Sequence, residues 1–112
     1  MIDDYKFGNM VINRKSYNSD LIIYPDKTCD SWWRKSGHQL TMNDLEDVIK
    51  SKPEVLVIGT GYFGLMKVNK DVKDYSKSND ITLITEKTKK AVEAFNSVCK
   101  NKRTIGAFHL TC

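Results

Sequence analysis

A chain of 112 residues with 40% hydrophobic and 29% charged residues, six glycines and two prolines has the composition of a single globular domain, which excludes collagen-like, low-complexity and wholly disordered chains. Eighteen Lys and Arg against 14 Asp and Glu leave a net charge of +4. Because acids and bases are interleaved, that mild excess allows an anionic partner without demanding one.

The first third reads as strands and turns. Tyr5 and Phe7, Met10 and Ile12, then Leu21 and Ile23 alternate with polar neighbours at period two, and Gly8-Asn9, Asn13-Arg14-Lys15 and Pro25-Asp26-Lys27 supply turns between them. The pattern predicts an antiparallel hairpin or meander with one face buried. From Thr41 the period changes. Thr41 and Asp44 have capping-box spacing, Met42, Leu45, Val48 and Ile49 share a helical face, and Pro53 forbids continuation.

Val55-Leu56-Val57-Ile58 is an unbroken apolar run, the pattern of a parallel strand covered on both faces. A short polar helix over 69–77 buries Val72 and Tyr75, and Ile81-Thr82-Leu83-Ile84 repeats the buried-strand signature. Thr85 offers an N-cap, with Glu86 in the first turn of a helix whose stripe is Ala91, Val92, Phe95, Val98 and Cys99. Thr104 to Leu110 closes the chain as a strand. The expected fold is α/β, a single domain over 1–112 with parallel strands joined by helical crossovers, plus the N-terminal meander.

Three cysteines, Cys29, Cys99 and Cys112, are too dispersed for a disulfide framework or a CxxC site, which favours a cytoplasmic setting. Residues 1–6 carry no expected targeting signal, and the longest apolar run is far short of a membrane span, so no membrane partner is expected. Gly59-Thr60-Gly61-Tyr62-Phe63-Gly64 matches GxGxxG after a strand, yet no helix opens within the turn, so it reads as a close-packed glycine turn and not a dinucleotide site. Two histidines are too few for a metal site, and no cofactor motif occurs. His109 and Cys112 have a spacing that sends them to opposite strand faces, against a Cys–His nucleophile pair. The lysines at 87, 89, 90, 100 and 102 read as a solvated face, and nucleic acid is not an expected partner.

Trp32-Trp33-Arg34 is the most unusual cluster. Either Trp33 plugs the core and Arg34 is a solvated edge residue, or the segment forms an aromatic wall with a guanidinium beside a cleft. Ligands of open α/β sheets bind outside the carboxyl ends of the strands. The expected ligand-binding residues are therefore Trp33, Arg34, His38, Gly59, Thr60, Gly61, Thr85 and His109. Arg34, the turn amides and the helix start after Thr85 would favour an anion, and Arg34→Ala is expected to remove that preference with little effect on stability.

Trp33-Arg34 with Gly37-His38, Pro53-Glu54-Val55-Leu56-Val57-Ile58-Gly59-Thr60-Gly61, Met66-Lys67-Val68 and the ending Gly106-Ala107-Phe108-His109-Leu110-Thr111-Cys112 together resemble the Mth-type domain of unknown function family. That family includes an adipogenesis-associated Mth-domain protein and a mitochondrial complex I assembly factor. The resemblance implies a three-layer α/β fold with an added antiparallel hairpin, and it brings no catalytic residues. Two functions stay open. One is a protein-binding or assembly-type module anchored by an exposed tryptophan and the Tyr62-Phe63 loop. The other is a small anionic ligand-binding protein or enzyme that uses Arg34, His38 and His109 around a pocket.

Overall fold

The computed structural model describes residues 1–112. Strands β1 (Ile2–Lys6), β2 (Asn9–Ile12) and β3 (Lys15–Tyr17) form an antiparallel meander. Its second turn holds Asn13 and Arg14 at φ 49° and 70°. An arginine adopts this left-handed conformation at a cost, offset here by its N–H donating to Asp3 Oδ2 at 2.8 Å.

Leu21 to Ile23 do not continue that meander. As β4 (Leu21–Ile23) they join a separate five-stranded sheet, flanked by β5 (Thr28–Cys29) and, antiparallel, by β10 (Thr104–His109). All three β4 residues are buried, which requires cover on both faces, and a peripheral meander covers only one. Next to β10 runs β7 (Val55–Thr60), parallel to it, and β9 (Thr82–Glu86) lies parallel to β7 at the sheet edge. The strand order is β5-β4-β10-β7-β9. A short parallel pair, β6 (Gln39–Leu40) with β8 (Lys67–Val68), lies outside this sheet.

The helices are α1 (Glu46–Lys50), α2 (Lys70–Ser78) and α3 (Thr88–Val98). The turn before α1, Met42–Leu45, is a 3₁₀ helix. Its Asp44 carboxylate accepts the Thr41 N–H at 3.0 Å, as the spacing predicts, and also the Lys35 N–H at 3.1 Å. A second strand buried on both faces was expected at 81–84. Instead β9 is half-buried to exposed along its length, because β7 is its sole neighbour in the sheet. The last helix starts at Thr88, leaving Thr85 inside β9 and not at an N-cap.

Alternation along β7 divides the apolar interior into two cores, one on each face of the sheet. Val55 and Val57 pack with Ile2, Met10, Leu21, Ala91, Phe95 and Phe108, so the meander and α3 cover that face. Leu56 and Ile58 pack with Leu40, Leu45, Val48, Met66 and Val72 on the other. Gly106 is needed where β10 crosses the first core. A Cβ there would lie 2.4 Å from Phe108 and 2.8 Å from Phe95, which pack edge to face with centroids 5.8 Å apart.

Candidate functional site

Parallel pairing brings several expected residues to one edge. His109 pairs with Thr60 across β10 and β7, and Thr85 pairs with Ile58 across β9 and β7. Beyond Thr60 the chain turns at Gly61, with φ 107°. Its N–H donates to Thr88 Oγ1 at 2.8 Å, and that hydroxyl donates onward to the His109 carbonyl at 2.6 Å. Tyr62 N–H then donates to Thr111 O and Leu65 N–H to Cys112 O, at 2.6 and 3.0 Å. The Gly61, Tyr62 and Leu65 amides are thus spent on the chain itself, and α2 begins only at Lys70. A glycine turn that cradles phosphate needs the opposite arrangement, amides free and a helix opening from the turn.

Beneath this turn lies a buried charged triad. Asp20, just before β4, places Oδ2 2.8 Å from both Arg34 Nη1 and His109 Nδ1, while its Oδ1 accepts the Leu110 N–H at 2.8 Å. Arg34 Nη2 lies 3.2 Å from His109 Nδ1, and the guanidinium carbon sits 4.8 Å from the Trp32 ring centroid. Burial alone would push the Asp20 carboxyl up. The hydrogen bonds from His109, Leu110 and Arg34 outweigh it and hold Asp20 below the ordinary carboxylate range. Nearby, burial pushes the Tyr5 phenol up to about 12, and its hydroxyl donates to Leu110 O.

This geometry inverts the core-plug reading of the tryptophan–arginine segment. Trp33 is 77% exposed, whereas Arg34 keeps only 5% of its side chain exposed. Residues 30–35 form no strand, so strand alternation does not govern them, and Asp20 supplies the charge that lets a guanidinium be buried. His38 is exposed and meets the fold through its backbone, accepting the Lys67 N–H at 2.8 Å. The imidazole and carboxylate of His109 and Asp20 are oriented as in an acid–base dyad. However, His109 Nε2 is sealed from solvent, so it is not open to a substrate in this conformation, and both it and Arg34 Nε lack a protein partner.

The open features lie around the triad. At the carboxyl edge a groove of about 470 Å³ is lined by Thr60, Lys67, Lys73, Thr85, Glu86 and Lys87, and none of these lysines forms an ion pair. A cavity of about 460 Å³ at the opposite end of the strands is lined by Tyr17, Tyr24, Phe95, Lys102 and Arg103. Arg34, His38 and His109 line neither of them. Above the triad, Phe7, Tyr62 and Phe63 form a contiguous aromatic cluster with centroids 5.0 to 6.1 Å apart. They are 50%, 45% and 58% exposed, and Leu65 beside them is 50% exposed. Sequence reasoning missed Asp20 and Thr88. For Asp20 the one available sign was an acid set directly before a buried apolar run.

No helix is long and apolar enough to cross a membrane. A family model described as "Protein of unknown function (DUF498/DUF598)" matches residues 2–110. Among solved structures, a conserved hypothetical protein from Pyrococcus horikoshii OT3 is 25% identical with a TM-score of 0.85, the match covering 100% of this chain and 99% of that one. An outer membrane protein from Bartonella henselae is 22% identical with a TM-score of 0.81, covering 99% and 94%. A Xanthomonas campestris protein is 18% identical with a TM-score of 0.81, covering 98% and 83%. All three share the fold described above.

Proposed function

The chain belongs to the DUF498/DUF598 family of proteins of unknown function, and from that premise we propose that it is a protein-binding, assembly-type module. The observation that carries this reading is the exposed cluster of Phe7, Tyr62 and Phe63, with exposed Leu65 two residues further along the chain. Aromatic side chains held together on a braced turn offer large apolar area at little conformational cost, the usual chemistry of an interface anchor. The triad pairs its charges within the chain through Asp20, although Arg34 Nε and His109 Nε2 keep no protein partner. The Mth-type assignment rests on the motifs around Gly59-Thr60-Gly61 and Phe108-His109, and a cytoplasmic setting fits three thiols that are not cross-linked.

A photo-crosslinking amino acid at position 63 tests this reading in cells. One protein cross-linked at position 63 and not from exposed Lys50, and lost with Tyr62→Ser, is the supporting result. No position-specific product, or one indifferent to Tyr62→Ser, overturns it.

The lysine groove supports a second reading, a small anionic ligand held at the carboxyl edge. Lys67, Lys73 and Lys87 outnumber the single Glu86 there, and Thr60 and Thr85 add hydroxyls. This keeps the expected edge and anion preference and moves the charge from Arg34 to the three lysines.

A further inference from the structure

The exposed Trp33 has no part in the aromatic cluster or in the lysine groove. It forms one wall of a third cavity, about 360 Å³, whose lining includes Tyr24, Trp32, Asp44, Glu46 and Asp47. The chemistry of this cavity is the reverse of that at the carboxyl edge: three aromatic rings, three carboxylates and no lining lysine or arginine. Asp44 is committed, since its carboxylate accepts the Thr41 and Lys35 N–H groups. Glu46 and Asp47 are exposed, and neither forms an ion pair or a side-chain hydrogen bond within the chain. The Trp32 indole is fixed by its N–H donating to Asp44 O at 3.1 Å, which holds that wall in place.

Two of the three rings already hold cations of the chain itself. The Arg34 guanidinium lies over Trp32 at 4.8 Å and the Lys27 ammonium over Tyr24 at 5.3 Å. Trp33, the best ring type for such contact, carries none. With 77% of its surface exposed, the Trp33 ring face stays open to a ligand cation. Ring faces combined with unpaired carboxylates are complementary to a positive charge carried on apolar carbon.

We propose that the cavity between Trp33 and α1 binds an organic ammonium group. The rings take up the methylene carbons and the diffuse positive charge, and Glu46 and Asp47 accept the N–H donors. This goes beyond the aromatic docking cluster, which lies on residues 7 and 62–65 and shares no residue with this cavity. A free alkylamine and a lysine side chain of a partner peptide present the same group.

Both tryptophans of the chain stand in this cavity, so intrinsic emission and the two indole N–H resonances report on it directly. The protein is titrated with 1,6-diaminohexane, with an acetylated, amidated Gly-Lys-Gly peptide, and with 1,6-hexanediol and sodium chloride at matched concentration as controls. The expected result is a saturable change centred on the Trp33 indole for one or both ammonium probes and for neither control. Tighter binding of the diamine identifies a small amine as the source, and tighter binding of the peptide identifies a protein lysine. Trp33→Ala, read through Trp32, should weaken binding about fivefold, and Trp33→Phe should restore part of it. Glu46→Gln with Asp47→Asn should weaken it further. All three positions are exposed, so unchanged thermal midpoints are expected to accompany these losses. Absence of a saturable change, an equal response to sodium chloride, or unaltered affinity in Trp33→Ala overturns the proposal.

Discussion

Asp20 and His109 stand 89 residues apart and meet at 2.8 Å between Oδ2 and Nδ1, with Arg34 on the same carboxylate oxygen. One carboxylate thereby joins the approach to β4, the tryptophan segment and the end of β10.

Asp20→Asn should destabilise the protein by about 3 kcal/mol at pH 7, because it leaves the Arg34 guanidinium buried without its counter-charge. The carboxyl titrates lower in the folded protein than when unfolded. Its ionised form therefore stabilises the fold above the unfolded value of about 3.9, and that contribution fades as pH falls through the folded value. Urea midpoints should show a gap between wild type and variant that is full at pH 7 and narrows below pH about 4. A gap independent of pH would refute the assignment.

Arg34→Ala reverses the sequence expectation that this arginine is dispensable to the fold. With its side chain 5% exposed and paired to Asp20, its loss should cost about 3 kcal/mol and lower the ligand-free thermal midpoint. Any phosphate-dependent rise in midpoint should instead be reduced in Lys67→Ala and Lys87→Ala, measured against chloride of equal ionic strength. A phosphate shift abolished in Arg34→Ala and intact in both lysine variants would return the anion site to the arginine.

Thr88→Val should lose about 2 kcal/mol, since its hydroxyl serves both the Gly61 N–H and the His109 carbonyl in a buried position. Thr88→Ser keeps the bridge and should lose about half as much. Chemical denaturation of the two variants separates lost hydrogen bonding from lost packing, and equal losses would count against the bridge.

Gly61→Ala should destabilise by at least about 2 kcal/mol, because φ is 107° and a Cβ would lie 2.5 Å from the Cys112 backbone. Gly37→Ala is the control, with open space around the added carbon. Hydrogen exchange should accelerate at Tyr62 and Leu65 in the first variant and stay unchanged in the second.

Local pattern determined what depends on backbone period. The run Val55 to Ile58 specifies a strand covered on both faces, and Ala91 with Phe95 specifies the buried face of α3, because side-chain direction along a strand or helix is set within a few residues. The same logic placed Gly61, Thr85 and His109 near strand ends, and parallel pairing put those ends at one edge.

Tertiary structure alone decided which distant residues meet. Strand order and register bring Asp20 to Arg34 and His109, and that partnership buries the arginine and leaves its neighbour Trp33 in solvent. It also brings Phe7 from the meander onto Tyr62 and Phe63, and it hands the turn amide at Gly61 to Thr88 and not to a ligand. A charged side chain is buried only where an opposite charge is delivered to it. That delivery follows from how the sheets pack and not from the spacing of residues along the chain.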